Sequence, residues 1–150
     1  RVLIDVYNKA VFYNNKEFKI EYLKFFDNYL FFITIVIVSE NKNEGEINYI
    51  FCDDEYLHKI NVEYLDHDTL TDIISFDYTV GNELNGDIFV SVERVEDNAK
   101  DFNVSFEEEL KRVLAHGILH YCGYKDKSDK EAELMRSKED EKIAMFHVEQ

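Results

Sequence analysis

The 150-residue sequence contains no proline and no tryptophan, and it has only two cysteines and five glycines. The absence of proline excludes collagen-like and proline-rich architectures, and two cysteines cannot form a disulfide framework. The longest apolar run, residues 30–38, is about half of the ~20 residues needed to cross a bilayer. Residues 2–6 show no signal-peptide layout. We therefore expect a cytoplasmic protein with no membrane partner, in which the apolar run is buried core.

Positive charge is also scarce, because 17 lysines and arginines stand against 32 acidic residues, which gives a net charge of −15. This charge argues against broad nonspecific binding to nucleic acid, which depends on phosphate neutralisation. We expect no DNA partner, although a local basic patch is compatible with the charge. Hydrophobic residues make up 45% of the sequence and aromatic residues 15%, which excludes a fully disordered chain. The length suits a single compact domain over residues 1–150.

The residue patterns mix strands with helices. Alternating and β-branched segments predict four strands, near residues 2–7, 46–51, 71–76 and 88–91. Capping residues and helical spacing predict helices near residues 55–64, 93–101, 105–122 and 128–146. The segment Asn85-Gly86-Asp87 is interpreted as a turn before the fourth strand. The fold class is therefore α/β or α+β, a layered domain.

Residues 18–41 are ambiguous by pattern. Phe18 to Leu30 has helix-like spacing, whereas residues 33–38 are β-branched and favour a strand by propensity. The acidic stretch from Glu131 to Lys142 is interpreted as the solvated face of a helix.

The candidate chemistry lies at the end of the predicted helix 105–122. His116 and His120 are four residues apart, so both imidazoles lie on one helix face at a separation that suits chelation of one metal ion. Gly123 predicts the helix end, and a chain that reverses there can return Asp126 to the same ion. Two histidines and one carboxylate would leave a zinc ion with an open position. The alternative is that the histidines are ordinary helix-surface residues.

The other residues of the sequence argue against one type of zinc site and against further metal ligands. Gly117 stands where zinc peptidases of the H-E-x-x-H type carry their glutamate, so that catalytic arrangement is missing. Cys52 and Cys122 are interpreted as small core residues rather than ligands. The remaining histidines are interpreted as surface or core residues: His58, His67 and His147.

Three ordered motifs resemble the YbeY endoribonucleases, metal-dependent factors of ribosomal RNA maturation. The segment 116–126, H-G-I-L-H-Y-C-G-Y-K-D, is similar to the family signature H-G-x-L-H-L-x-G-Y-D-H. The segment 61–76, N-V-E-Y-L-D-H-D-T-L-T-D-I-I-S-F, resembles the family pattern N-x-x-Y-R-x-x-D-x-x-T-D-V-L-S-F. The segment 86–91, G-D-I-F-V-S, resembles the pattern G-D-I-x-I-S. Together with the last helix, the resemblance covers residues 44–147.

The resemblance implies a compact α/β domain with a four-stranded mixed sheet, about five helices and a metal cleft at the His-bearing helix. It implies that residues 20–40 are mainly helical. It also implies that His116, His120 and Asp126 are the metal ligands, with Asp126 standing where the family has a third histidine. Zinc accepts aspartate oxygen as well as imidazole, so one Zn²⁺ ion, or another divalent metal, is the expected cofactor. Leu65 stands where the family usually has an arginine.

The leading hypothesis is a metal-dependent, single-strand-specific endoribonuclease that matures ribosomal RNA by hydrolysis with a metal-bound water. Asp72 and Ser75 are candidates for contacts with the ligands or the substrate, and their alternative roles are a turn cap and a core-edge hydroxyl. RNA contact would use local cations around the motif, such as Lys111, Arg112, Lys125, Lys127 and Lys130, and the alternative is that these are ordinary helix-surface residues. The ribosome or a ribosomal protein is the expected partner. The alternatives are a metal hydrolase of another substrate and a non-catalytic ribosome-assembly factor with a structural metal.

Overall fold

A computed structural model describes residues 2–5, 26–65 and 71–149, which form a mixed α/β fold built on one mixed sheet. The strands are β1 (Val2–Asp5), β2 (Asn43–Cys52), β3 (Ile73–Asp77) and β4 (Glu83–Ser91). Their order in the sheet is β1-β2-β4-β3. The β1–β2 and β2–β4 pairs are parallel, and β3 runs antiparallel to β4.

The described residues also form five helices: α1 (Phe26–Ser39), α2 (Asp54–Leu65), α3 (Val92–Asp101), α4 (Phe106–Tyr121) and α5 (Asp129–Glu149). The predicted mixture of helices and strands is confirmed. The parts of the predicted elements that fall on residues 6–25 lie outside the described residues, as do Asp66 to Leu70 of the second family-like segment.

The ambiguous segment is a helix over its described part, as the resemblance implies. A stripe of α1 at helical spacing is fully buried: Tyr29, Phe32, Ile33, Val36 and Ile37. Its β-branched residues therefore serve as a core face, and the gain from burying them outweighs a propensity difference of at most about 0.7 kcal/mol per residue. The ring of Phe32 meets that of Phe146 of α5 edge-on, with centroids 5.3 Å apart.

The prediction of a turn at Asn85-Gly86-Asp87 is wrong, because these residues lie inside β4. Gly86 pairs with Ile47 of β2 on one side and with Asp77 of β3 on the other. A β-carbon at Gly86 would collide with the hydroxyl of Tyr121 and the carbonyl of Phe76. The glycine therefore marks a close approach of α4 to the sheet, and the turn lies earlier, at Gly81, where φ is +60°.

Two buried tyrosine hydroxyls fix α4 on the sheet. The hydroxyl of Tyr49 in β2 donates to the carbonyl of Leu114 at 3.0 Å. The hydroxyl of Tyr121 donates to the carbonyl of Phe76 in β3, also at 3.0 Å. Because these bonds lie on either side of His116 along the helix, they fix the distance between the His-bearing turn of α4 and the sheet.

The sheet separates two hydrophobic clusters. Ile88 and Val90 of β4 point into the main core, which contains α1, α4 and α5, whereas Phe89 between them packs against the cluster of α2. This period-two alternation places α2 on the face opposite α4. The metal-ligand candidates and α2 are therefore on different sides of the sheet.

The acidic stretch of α5 is not solvated throughout, which corrects the sequence interpretation. Glu139 and Lys142 are 4% and 1% exposed. The ammonium of Lys142 donates to Glu40, just after α1, at 2.7 Å. Burial works to raise the pKa of Glu40, but hydrogen bonds from Lys142 and Tyr124 and the nearby ammonium groups lower it overall. A buried ion pair thus ties the end of α1 to the middle of α5.

Replacement of Lys142 by methionine tests this ion pair. The substitution Lys142→Met keeps the side-chain length but leaves the Glu40 carboxylate without its closest cation. We expect the free energy of unfolding at pH 7 to fall by about 3 kcal/mol, as for other broken buried pairs. Denaturant titration measures it. The control Lys130→Met, on an exposed position of the same helix, should change stability by less than about 0.5 kcal/mol, and equal losses in the two variants would contradict the ion-pair role.

Candidate metal centre

Local capping places the ends of α4. The hydroxyl of Ser105 accepts a hydrogen bond from the amide of Glu108 at 3.1 Å, which is the predicted N-cap. At the other end Gly123 adopts a φ of +102° and donates its N–H to the carbonyl of His120 at 3.0 Å. A left-handed residue just past a helix reverses the chain and satisfies its last carbonyls. That reversal returns Asp126 to the last turn of the helix.

The structure brings the three predicted ligands together. The Nε2 atoms of His116 and His120 lie 2.9 Å apart. The Oδ2 atom of Asp126 lies 3.1 Å from Nε2 of His116 and 3.4 Å from Nε2 of His120. Among the residues that the structure describes, no other group of three histidine, cysteine or acidic side chains converges in this way.

The opposite nitrogen of each imidazole is held by a fixed partner. Nδ1 of His120 lies 2.9 Å from the carbonyl oxygen of Tyr124, and Nδ1 of His116 lies 2.7 Å from Oε2 of Glu139. A carbonyl and a carboxylate accept hydrogen bonds, so both Nδ1 atoms carry hydrogens. In neutral imidazoles the lone pairs are then on the Nε2 atoms, which face each other and the carboxylate of Asp126.

Three acceptor atoms that face one another repel unless a cation or a proton lies between them. Burial works to lower the pKa of His116, but the hydrogen bond and charge of Glu139 at the opposite ring nitrogen, with the charges of Asp126 and Asp72, raise it overall. Bonds of ~2.0–2.1 Å to a tetrahedral ion separate the ligand atoms by about 3.4 Å. The observed separations of 2.9 to 3.4 Å are close to that value. The three side chains are therefore positioned to hold a metal ion.

Sequence reasoning missed Glu139 and misjudged Arg112. The guanidinium of Arg112 donates to Glu139 at 3.2 Å and to Asp140 at 2.8 Å. The guanidinium of Arg112 is thus paired with two carboxylates of α5 and is not free to contact RNA. A signal for Glu139 was present, because it interrupts the buried stripe of α5 at helical spacing between Met135 and Ile143. An acid on a buried stripe indicates a buried polar partner.

Asp72 and Ser75, the two other site candidates, differ in their position relative to the three converging residues. Asp72 lines the same cavity as His116 and Asp126. Burial raises the pKa of Asp72, and the nearby charge of His116 opposes that rise. Ser75 lies in β3 opposite Ile88, and within the described part of the chain no hydrogen bond links its side chain to the three converging residues.

The remaining cations and thiols are also placed. Lys125, Lys127 and Lys130 are exposed beside the reversal at Gly123, whereas the ammonium of Lys111 lies 4.2 Å from the ring centroid of Phe146. Cys52 and Cys122 are free thiols. Burial raises the pKa of Cys122 to about 11, so it remains a thiol at neutral pH.

Comparison with known proteins gives a consistent family assignment. The sequence profile of the family described as Endoribonuclease YbeY matches residues 11–147. A Flavobacterium johnsoniae protein named Endoribonuclease YbeY is 92% identical over 118 residues, which are 79% of this chain and 85% of that protein. A Bacteroides fragilis protein of the same name is 50% identical over 113 residues, 75% of this chain and 81% of that protein.

Among solved structures, the solution structure of TM1509 from Thermotoga maritima is similar to this chain with a TM-score of 0.66 and 26% identity. The match covers 99% of this chain and 91% of that one. The described residues contain no helix with the length and hydropathy that a membrane span requires.

The position of Asp126 beside the two imidazoles leads to a first prediction, which concerns metal affinity. We expect Asp126→Ala to weaken Zn²⁺ and Mn²⁺ binding by more than about tenfold, because one of three ligand side chains is lost. Asp126→His should retain Zn²⁺ binding, since imidazole is also a zinc ligand. Calorimetric titration with each metal measures both effects. Unchanged affinity in Asp126→Ala would remove Asp126 from the ligand set.

The contact between Glu139 and His116 leads to a second prediction for the site. The substitution Glu139→Gln removes the charge that holds His116 Nδ1 but keeps the shape of the side chain. Loss of such an outer contact lowers metal affinity by about 10- to 100-fold, and the same titrations should detect it. Glu133→Gln, at an exposed position of α5, is the matched control and should bind metal as the unmodified protein does. If the two variants behave alike, Glu139 does not position His116.

Proposed function

The chain belongs to the YbeY endoribonuclease family, and from that membership we propose that it cleaves single-stranded RNA by metal-assisted hydrolysis at His116, His120 and Asp126. The observation that carries the proposal is the convergence of two Nε2 atoms and one carboxylate oxygen within 2.9 to 3.4 Å. We propose Zn²⁺ as the resident ion. The cleaved RNA in this proposal is ribosomal, the ribosome or a ribosomal protein is the partner, and the protein acts in the cytoplasm as one domain over residues 1–150.

The number of ligands supports catalysis over a purely structural metal. Structural zinc is normally closed by four protein ligands, whereas catalytic zinc keeps one position open. The described residues supply three converging side chains. A metal ion in such a site supplies Lewis acidity toward a phosphoryl oxygen and lowers the pKa of a bound water.

The protein's own residues supply orientation. Glu139 and the Tyr124 carbonyl hold the two imidazoles so that each Nε2 faces inward. Arg112 holds Glu139 in turn. Because each contact fixes a ring by its far nitrogen, the ligand atoms are placed before any ion or substrate arrives, which reduces the reorganisation needed during reaction.

Charge sets the conditions under which RNA can bind. The net charge of −15 repels a phosphodiester chain, and the exposed lysines beside the site are Lys125, Lys127 and Lys130. Few cations imply weak contact that falls with ionic strength. We propose that a ribosomal partner supplies the remaining affinity.

Removal of one imidazole tests the proposal. We expect His116→Ala to abolish cleavage of ribosomal RNA at low salt, because the metal site loses a ligand, and to leave the fold intact because the core does not depend on one ion. Cleavage by purified protein with Zn²⁺ or Mn²⁺, before and after chelation, measures the activity. Circular dichroism and thermal melting measure the fold.

The control is His58→Ala. His58 lies on α2, on the opposite face of the sheet, so this variant should cleave normally. Cleavage by His116→Ala at the rate of the unmodified protein would assign the activity to a contaminant. A large drop in melting temperature on chelation, without any cleavage, would instead support an assembly factor with a structural metal.

A further inference from the structure

A cavity of about 330 Å³ adjoins the candidate metal centre, and His116 and Asp126 form part of its wall. This volume is at the lower end of the range for small-ligand sites. The end of α3 and the first half of α5 also line the cavity, through Phe102 and Arg136. A ligand that binds against these two side chains would therefore lie in the same cavity as two of the proposed metal ligands.

Phe102 presents an aromatic ring on a rigid support. The residue is 54% exposed. Its N–H donates to the carbonyl of Asn98 at 2.9 Å, and the N–H of Val104 donates to the carbonyl of the buried Ala99 at 3.0 Å, which fixes the backbone at the end of α3. Single exposed apolar residues are common on proteins. Among the exposed large hydrophobic residues that the structure describes, however, Phe102 is the one that lines this cavity.

The guanidinium of Arg136 packs against this ring. Its central carbon lies 5.6 Å from the ring centroid, which is within the range of a cation–π contact. No carboxylate in the described part of the chain forms an ion pair with Arg136, although the sequence contains 32 acidic residues. By contrast, Arg112 on the same cavity wall is paired with Glu139 and Asp140. The charge of Arg136 is therefore available to a ligand.

The charges of the cavity wall determine which part of a nucleotide can enter. Asp72, Glu109, Asp126 and Glu139 all line the cavity. Like charges repel, so these carboxylates disfavour a phosphate in the interior, whereas a nucleobase carries no charge and is not repelled. The phosphates of a bound strand are drawn instead to positive charge, which Arg136 supplies.

We propose that Phe102 and Arg136 form a stacking subsite for one nucleobase of single-stranded RNA, next to the phosphodiester that is cleaved. The base stacks on the ring of Phe102, and the guanidinium of Arg136 pairs with a neighbouring phosphate. Proteins bind the unpaired bases of RNA by stacking them on aromatic side chains, and every base has a π-face that can stack in this way.

The subsite selects single strands, because a base inside a duplex is already stacked on its neighbours and cannot reach the ring. The inference rests on the RNA-cleaving function proposed above, and it adds to that function the residues that exclude double-stranded RNA.

Steady-state cleavage of a single-stranded RNA at low salt tests the role of Phe102. The substitution Phe102→Leu keeps an apolar side chain but removes the ring. We expect it to raise KM by at least about fivefold, the lower end for a lost base–aromatic stack, with kcat nearly unchanged. Phe102→Trp offers a larger ring and should not raise KM.

The control is Phe31→Leu, the same substitution at a phenylalanine of α1 that is 51% exposed and outside the cavity lining. This variant should keep the KM of the unmodified protein. If Phe102→Leu also keeps that KM, the subsite is overturned.

The salt dependence of KM tests the role of Arg136. The substitution Arg136→Gln removes the charge but retains a planar amide. We expect the slope of log KM against log salt concentration to fall by about one, as for the loss of one phosphate contact. An unchanged slope would contradict the phosphate contact and overturn the subsite as proposed.

A binding measurement separates the subsite from the proposed activity. A 2′-O-methyl RNA dodecamer of mixed sequence is titrated into the metal-free protein at low salt and followed by NMR. We expect nuclear Overhauser contacts between base protons and the ring protons of Phe102, and we expect none when the dodecamer is annealed to its complement. These contacts would support the subsite even if the metal-loaded protein cleaves no RNA, in which case the proposed function alone fails. Cleavage without these contacts, and with an unchanged KM in Phe102→Leu, would overturn the subsite and leave the proposed function standing.

Discussion

The hydrogen bond between Nδ1 of His116 and the buried carboxylate of Glu139 is the interaction on which the orientation of the His116 ring depends. Without it the imidazole could turn or exchange tautomers, and the Nε2 lone pair would not be fixed toward His120 and Asp126. The carboxylate is itself held by Arg112. The packing of α5 against α4 therefore orients the Nε2 atom of His116, because Arg112 holds Glu139 and Glu139 holds the ring.

The second imidazole depends on a different part of the molecule. Tyr124 accepts a hydrogen bond from His120 through its carbonyl and donates one to Glu40 through its hydroxyl, at 2.9 and 2.8 Å. Glu40 is in turn paired with Lys142. The loop that carries Asp126 is therefore anchored to α1 and α5, and the buried Lys142 supports this anchor beside the candidate metal centre.

Sequence patterns predicted the parts of the site that are local. His116, His120 and Asp126 lie within one helical turn and one reversal, so spacing and Gly123 together were sufficient to bring them to one point. Glu139 is 23 residues from its partner His116, and no local rule predicts that contact. Gly86 was misjudged for the same reason, because the hydroxyl that requires it belongs to Tyr121 of another element. For α1, burial of the β-branched face overrode propensity, and only the family resemblance gave the correct helix.

The position of Glu139 in α5 also has a consequence for the order in which the chain is synthesised. His116, His120 and Asp126 leave the ribosome before Glu139 does, so the ring of His116 has no fixed orientation until α5 has been made and has docked. A nascent chain would therefore carry all three ligand side chains and still lack the organised centre.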